Sequence, residues 1–157
     1  MSIDGASGEV PRILCHCHAL RQAARRATAL YDAAMAPFGL RISQFTILVR
    51  LRRLGPLSLH ALAAELVLDR TTLGRNLRPL ERDGLVASEA DPADKRVRRL
   101  MLTEAGLDLM RRAMPAWQAA QAEFEVQLGA ASAAALRAEL HRTTAVLRVP
   151  AEGAPTE

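Results

Sequence analysis

The feature that most constrains the fold of this sequence is a pair of short helices separated by only two residues. Ser58 is a good N-cap for the first helix, predicted over Leu59–Leu66, and Asp69 is a good N-cap for the second. The second helix is expected to end at Gly84, because glycine commonly terminates helices. Two helices joined by so short a connection form a helix-turn-helix unit.

The second of these helices has two chemically different sides. At 100° per residue, Leu73, Leu77 and Leu80 fall within about 60° of one another and are predicted to be buried. The other side suits the major groove of DNA, since arginine binds guanine and asparagine pairs with adenine. An ordinary amphipathic helix with a solvated arginine side is the alternative. The candidate DNA-contacting residues of this helix are Arg70, Thr71, Thr72, Arg75, Asn76, Arg78 and Arg82.

Positive charge is concentrated in the middle of the chain. Residues 41–99 carry 12 basic and 7 acidic side chains, whereas residues 100–157 carry 5 and 7. Clustered arginine and lysine favour a polyanionic partner. A β-hairpin with a charged tip is predicted from strands at 85–88 and 98–102. Its tip is expected to enter the minor groove, with Asp94 holding Arg96 extended. The candidate contacts here are Asp94, Lys95, Arg96 and Arg98.

Long amphipathic helices are predicted on both sides of this central unit, and those on the C-terminal side begin at Thr103 and Ser132. A further helix within the lobe is predicted from an N-cap at Ser43 to about Leu54. The long helix on the N-terminal side carries apolar residues every three or four positions from Ile13 to Ala34. The predicted fold is therefore mainly α-helical with a small β-hairpin wing. Its predicted divisions are a flexible N-terminus (1–11), an N-terminal dimerisation helix (12–40), a winged helix-turn-helix lobe (41–102), C-terminal dimerisation helices (103–148) and a flexible tail (149–157).

The composition fits a compact protein. Half of the 157 residues are apolar and 24% are charged, which excludes global disorder. No apolar run approaches the roughly 20 residues of a membrane-spanning helix, and the polar first residues do not resemble a signal peptide. We expect a soluble, cytoplasmic protein without membrane association, bound cofactor or metal.

Five segments together resemble the MarR family of winged helix-turn-helix regulators, and the resemblance covers residues 12–148. They are LHALAAEL at 59–66, LDRTTLGRNL at 68–77, LERDGLV at 80–86, DPADKR at 91–96 and LTEAG at 102–106. The resemblance implies a homodimer with intertwined terminal helices that binds a pseudo-palindromic operator in double-stranded DNA. It implies a repressor released by a small aromatic or phenolic ligand. By motif position, Thr71, Thr72, Arg75 and Asn76 face the major groove and Arg96 faces the minor groove.

Two cysteines and two histidines stand together as Cys15-His16-Cys17-His18. Thiols and imidazoles bind soft metals, and thiolates are oxidised by peroxides. Consecutive helical residues point about 100° apart, so these four cannot all bind one ion. Organic-hydroperoxide sensors of the family resemble the chain here, with Cys15 at the reactive position, but Ile42 stands where they usually have a tyrosine. Packing, redox sensing and metal sensing remain open.

Tyr31, Phe38 and Phe45 are candidates for an effector cleft between the lobe and the terminal helices, although they serve equally well in packing. A thiol enzyme using Cys15 or Cys17 is an alternative function, but no orienting group, oxyanion turn or cofactor motif accompanies them, and no catalytic residue is assigned. A winged-helix adaptor without DNA contact is a second alternative. The arginine side of the second helix favours a DNA-binding regulator over both.

Overall fold

The computed structural model describes residues 15–147 as a mainly helical chain with a small antiparallel sheet, as predicted. The described helices are α1 (His16–Met35), α2 (Ile42–Leu54), α3 (Leu59–Leu66), α4 (Arg70–Arg82), α5 (Glu104–Leu128) and α6 (Ala130–Val146), and the strands are β1 (Leu57–Ser58), β2 (Val86–Ala90) and β3 (Arg98–Leu102). The segments predicted to be flexible, 1–11 and 149–157, lie outside the described residues, as does Ile13. Within the described part, no helix is both long and apolar enough to cross a bilayer.

The core lies in the central lobe, around α2. Phe45, Ile47 and Leu48 of α2 are at most 2% exposed, and they pack with leucines of α3 and α4 and with residues of the sheet and of α5. Burial of such side chains stabilises a fold by about 1.5–3 kcal/mol each. The lobe is therefore one packed unit, and its core holds α4 and the wing in position.

The sheet has the strand order β1-β3-β2, with both pairs antiparallel. Leu57 pairs with Leu100, and Val86 pairs with Leu102. The sequence predicted the β2–β3 hairpin but not β1, which is only two residues long. The first hairpin strand was predicted at 85–88 and lies at 86–90 instead, because the cross-strand pairing extends to Ala90 and Arg98.

Two predicted helix caps are wrong. Ser43 lies inside α2, which begins at Ile42 after an extended Arg41, and the Ile42 N–H donates to Asp32 Oδ1 at 2.7 Å. The cap acceptor therefore comes from α1. The last helix begins at Ala130 directly after Gly129 rather than at Ser132. The caps predicted at Ser58, Asp69 and Thr103 are confirmed, since each side chain accepts a backbone N–H three residues ahead.

The terminal helices pack against each other, with α1 lying along α5 and α6 folded back beside α5. Ala27, Tyr31 and Ala34 of the predicted α1 stripe are half-buried, while Cys17 and Leu20 are exposed. Several large apolar side chains of this region are also exposed. They are Leu20, Val126, Leu128, Leu136, Leu140, Val146 and Leu147.

Candidate nucleic-acid interface

The helix α4 has a buried apolar side and an exposed polar side, as its sequence predicted. Leu73, Leu77 and Leu80 are between 0% and 2% exposed. Thr71, Arg75 and Arg78 are exposed on the opposite side, as is Arg70 at the helix start. The leucines fix the helix on the lobe, so that long, charged donors project into solvent.

Two of the predicted contact residues are partly used inside the subunit. The Thr72 hydroxyl donates to Asp69 Oδ2 at 2.6 Å, and its N–H donates to Asp69 Oδ1 at 2.8 Å. These bonds, the hydroxyl one first, lower the pKa of the Asp69 carboxyl below its usual value. The Asn76 amide donates to the Thr72 carbonyl oxygen at 3.0 Å, and its Oδ1 accepts from the Ser43 hydroxyl at 2.9 Å. Thr72 and Asn76 thus fix the helix start and tie α4 to α2.

Arg82 is exposed, but its guanidinium is held by its neighbour. The Arg82 Nε donates to Asp83 Oδ1 at 2.8 Å. This hydrogen bond lowers the pKa of Asp83 and raises that of Arg82. Arg70, Arg75 and Arg78 form no ion pair with another described residue, so these three guanidinium groups of α4 are available to a ligand.

The wing tip is a turn built from two aspartates. Asp91 Oδ1 accepts the Ala93 N–H at 2.8 Å, and Asp94 Oδ1 accepts the Arg96 N–H at 3.0 Å. Asp94 therefore fixes the backbone of the turn, whereas we had expected it to hold the Arg96 side chain. The side chains of Lys95 and Arg96 are exposed at the tip.

The two arginines at the base of the wing are tied to the sheet. Arg98 Nε donates to the Ser88 hydroxyl at 3.0 Å across the hairpin. Arg99, which is not among the predicted contacts, donates to the Pro56 carbonyl oxygen at 3.1 Å and lies 3.5 Å from Asp91 Oδ2. Arg99 thus links β1, β3 and the wing tip. Only β1, which the sequence did not reveal, could have indicated this role.

The three candidate effector residues lie in different places within the described subunit. Phe45 is buried and stacks on Trp117 with a centroid separation of 6.4 Å. Tyr31 lies in a different cavity, between α1, α5 and α6. Phe38 is half-buried and packs against the core. Tyr31 and Phe45 belong to neighbouring helices, but they project into different interfaces.

A cavity of about 310 Å3 does lie between the lobe and the terminal helices, at the α2–α5 interface. Phe45 and Trp117 line it, with Arg50 and Arg53 among its polar residues. Arg50 pairs with Glu65 of α3 at 3.2 Å, whereas Arg53 forms no ion pair with another described residue. The sequence predicted neither arginine as a site residue.

The cysteine–histidine segment begins α1. Cys15 is the N-cap, and its Sγ accepts the His18 N–H at 3.4 Å. Cys15 and Cys17 are free thiols and both are exposed, so neither packs as a buried apolar side chain within this subunit. No group of three or more His, Cys, Asp or Glu side chains suited to a metal ion occurs within residues 15–147.

Comparison with known proteins identifies the same architecture. The MarR family model matches residues 40–97. The uncharacterized HTH-type transcriptional regulator YwoH of Bacillus subtilis (strain 168) is 31% identical over 87 residues, which are 55% of this chain and 63% of that protein. The match therefore spans less than two thirds of this curated relative.

Solved structures match over nearly their whole length. The transcriptional regulator MosR of M. tuberculosis is 32% identical with a TM-score of 0.72, over 86% of this chain and 98% of that one. The structure of MosR in complex with DNA is 34% identical with a TM-score of 0.69, and the match covers 85% of this chain and 99% of that one. BpsR of Bordetella bronchiseptica, whose DNA binding is regulated by 6-hydroxynicotinic acid, is 25% identical with a TM-score of 0.74, over 94% and 100%. The buried leucines fix α4 on the lobe, and the hairpin forms the wing. The chain belongs to the MarR family of DNA-binding, winged helix-turn-helix transcriptional regulators.

Proposed function

We propose that this regulator is a homodimeric repressor that binds a pseudo-palindromic operator through α4 and the wing, and that a small aromatic acid releases it. The observation that carries the proposal is that α4 has one buried apolar side and one exposed basic side. Its leucines are 0–2% exposed while Arg75 and Arg78 are exposed and unpaired among the described residues. A helix fixed in this way presents donors that bind guanine O6 and N7 in the major groove.

The remaining contacts are assigned by position. Thr71 lies beside Arg75 on the exposed side of α4, and Arg70 lies at the positive end of the helix dipole, which favours a phosphate. Thr72 and Asn76 contribute at the margin, since part of each side chain is already hydrogen-bonded inside the subunit. Lys95 and Arg96 enter the minor groove from the wing tip, with Asp94 and Arg98 shaping the turn and strand that carry them.

The dimer is supported by the apolar side chains that the terminal helices leave uncovered. Val126 is 78% exposed and Leu147 is 65% exposed, far above the values of core residues. Association of α1, α5 and α6 with a second copy would cover this surface and place two α4 helices about 34 Å apart, one turn of DNA. Sedimentation equilibrium should give twice the 17.0 kDa mass of the chain, and a monomer at micromolar concentration would contradict the dimer.

Binding of the chain to its own upstream DNA tests the repressor directly. Fluorescence anisotropy should show nanomolar affinity for one upstream fragment and at least about a thousandfold weaker binding to a scrambled duplex. In a promoter assay, addition of the protein should lower transcription. Equal affinity for both duplexes would contradict sequence-specific recognition, and increased transcription would identify an activator instead of a repressor.

The α2–α5 cavity is the proposed effector site. Phe45 and Trp117 offer aromatic faces, and Arg53 offers a cation for the carboxylate of an aromatic acid. Its position between the lobe and the terminal helices would let a ligand change the spacing of the two α4 helices. That BpsR responds to a hydroxylated aromatic acid supports this ligand class.

A titration of hydroxylated aromatic acids tests this site, because Trp117 is the sole tryptophan. Binding should quench its fluorescence and weaken operator binding together. Arg53→Gln should abolish both effects, while Arg52→Gln, a neighbouring exposed arginine outside the cavity lining, should leave them unchanged. A ligand that releases DNA without any change in Trp117 emission would place the effector elsewhere.

Thiol oxidation is a second mode of release, favoured by the exposure of Cys15 and Cys17. An organic hydroperoxide would transfer one oxygen atom to a thiolate, giving a sulfenic acid and the corresponding alcohol. Oxidised protein should lose operator affinity and regain it with a reducing agent. The response should disappear in the Cys15→Ser/Cys17→Ser double variant, and its persistence there would exclude these thiols. With no cluster of three ligands in residues 15–147, metal sensing would need ligands beyond those of the described residues.

A further inference from the structure

The Ser43 hydroxyl makes a hydrogen bond that crosses from α2 to α4. It donates to Asn76 Oδ1 at 2.9 Å, although the two residues are 33 positions apart in the chain. A hydroxyl within a helix often bonds a carbonyl oxygen of its own helix instead, as the Thr46 hydroxyl does with Ile42 at 2.8 Å. The Ser43 bond therefore acts on the side chain of the neighbouring helix rather than on the backbone of its own.

The Asn76 amide is held in one orientation by a partner on each of its polar atoms. Its Nδ2 donates to the Thr72 carbonyl oxygen at 3.0 Å, and a carbonyl oxygen can only accept. The nitrogen must face Thr72, so Oδ1 faces Ser43 and the hydroxyl must donate to it. Thr72 is itself fixed, because the Asp69 carboxylate accepts both its N–H and its hydroxyl. The amide cannot exchange its oxygen and nitrogen by a half-turn without losing both bonds.

The fixed amide keeps one donor and one acceptor for a ligand. A primary amide has two N–H donors and an oxygen with two lone pairs, and the bonds inside the subunit use one of each. Asn76 is half-buried beside the exposed Arg75, at the margin of the basic side of α4. In the major groove, adenine presents the acceptor N7 beside the donor N6, whereas guanine presents two acceptors, N7 and O6. The remaining donor and acceptor of Asn76 match adenine and mismatch guanine.

We propose that Ser43 is a positioning residue for operator recognition, and that it makes Asn76 selective for adenine at one base pair of each half-site. The hydroxyl fixes which polar atom of the amide meets N6 and which meets N7. Without this bond the amide is free to turn, and a single N–H bond to N7 does not distinguish adenine from guanine, because both purines carry N7. The inference rests on the proposed contact of Asn76 with the major groove and assigns a base to that contact.

Selection from a pool of randomised duplexes tests this assignment in the full-length protein, with sequencing of the bound fraction. The wild-type protein should select adenine at one position of each half-site. Ser43→Ala should lower the preference for adenine over guanine there about tenfold, the discrimination typical of one bidentate pair. It should leave unchanged the position whose preference is lost in Arg75→Ala. Ser43→Thr, which keeps a hydroxyl, should retain the adenine preference.

The Asn76→Ala variant shows whether Ser43 acts through the amide. It should lose the same adenine preference, and adding Ser43→Ala to it should change that preference no further, because the two residues act as one unit. The proposal is overturned if Asn76→Ala alone, and not Ser43→Ala, loses the preference, or if neither variant does. It is also overturned if Ser43→Ala only weakens binding to all duplexes equally, which would indicate a structural role or a phosphate contact. A wild-type protein that selects no sequence at all would instead contradict the proposed sequence-specific repressor.

Discussion

The carbonyl oxygen of Leu85 lies 2.1 Å from the position that a Cβ atom would take on Gly106. The start of α5 therefore touches the backbone that joins α4 to β2. Thr103 reinforces this contact, because its hydroxyl donates to the Gly84 carbonyl oxygen at 2.7 Å. The long helix of the terminal region is thus fixed directly to the segment that follows α4.

Gly106→Ala is predicted to lower the free energy of unfolding by about 1–3 kcal/mol, the usual cost of overpacking. A loss of stability would be informative, because alanine in a helix interior is favoured over glycine by about 1 kcal/mol in the absence of contacts. Gly74→Ala in α4 is the control, because no atom outside the adjacent residues and backbone of its own helix lies within 4 Å of its added Cβ, and it should be neutral or stabilising. Urea unfolding at fixed protein concentration measures both, and a stable Gly106→Ala protein would contradict the close approach.

Arg75→Ala is predicted to lower operator affinity by about 1–3 kcal/mol and to relax the base preference at one position of each half-site. The reason is that Arg75 is an exposed guanidinium of α4 without an intramolecular partner among the described residues. Arg112→Ala on α5, where the side chain pairs with Asp108, is the matched control and should bind like the wild type. Anisotropy titrations with single-base operator variants measure both quantities, and an unaltered base preference would place Arg75 away from the bases.

Arg96→Ala is predicted to weaken binding to all duplexes similarly and to reduce the slope of log affinity against log salt by about 1. Its side chain is exposed at the wing tip, where a narrow minor groove attracts a cation without reading a unique base pattern. Asp94→Ala should also weaken binding to all duplexes, because it removes the acceptor of the Arg96 N–H, which fixes the turn that carries Arg96. Titrations between 50 and 200 mM salt test this, and an unchanged salt slope in Arg96→Ala would show that Arg96 does not contact DNA.

The parts that sequence predicted well are those fixed by local chemistry. The bounds of α3 and α4 follow from the caps Ser58 and Asp69 and from the leucine spacing, which involve residues within one or two turns. The Ser43 cap failed because Asp32, ten residues away on another helix, supplies the acceptor instead. The separation of Tyr31 from Phe45 has the same kind of reason. Which cavity Tyr31 or Phe45 lines depends on how helices are arranged, and helical periodicity gives no information on that arrangement.

Val67 is the C-cap of α3 and has the left-handed backbone conformation, with φ of 52°. A β-branched residue is strained there, and the strain arises from the tight connection between α3 and α4. Val67→Asn is predicted to raise the free energy of unfolding by about 1 kcal/mol, since asparagine tolerates this conformation. Val67→Ala separates the causes, because alanine removes the exposed apolar surface and the β-branch but lacks the polar side chain with which asparagine tolerates this conformation. If alanine stabilises the protein as much as asparagine does, the special tolerance of asparagine is not the reason.

The free energy of unfolding is predicted to fall at acid pH because Asp69, the N-cap of α4, becomes protonated there. The Thr72 hydroxyl and N–H lower the pKa of this carboxyl in the folded state, so the ionised form is the one that folding favours. The stabilisation is therefore complete above the unfolded pKa, about 3.9, and is lost as the pH falls through the lower folded pKa. The difference in the free energy of unfolding between wild type and Asp69→Ala should shrink between pH 6 and pH 3. Asp69→Ser keeps an uncharged cap, so its difference from Asp69→Ala should stay constant. A wild-type advantage that is the same at both pH values would show that the charge of Asp69 does not contribute.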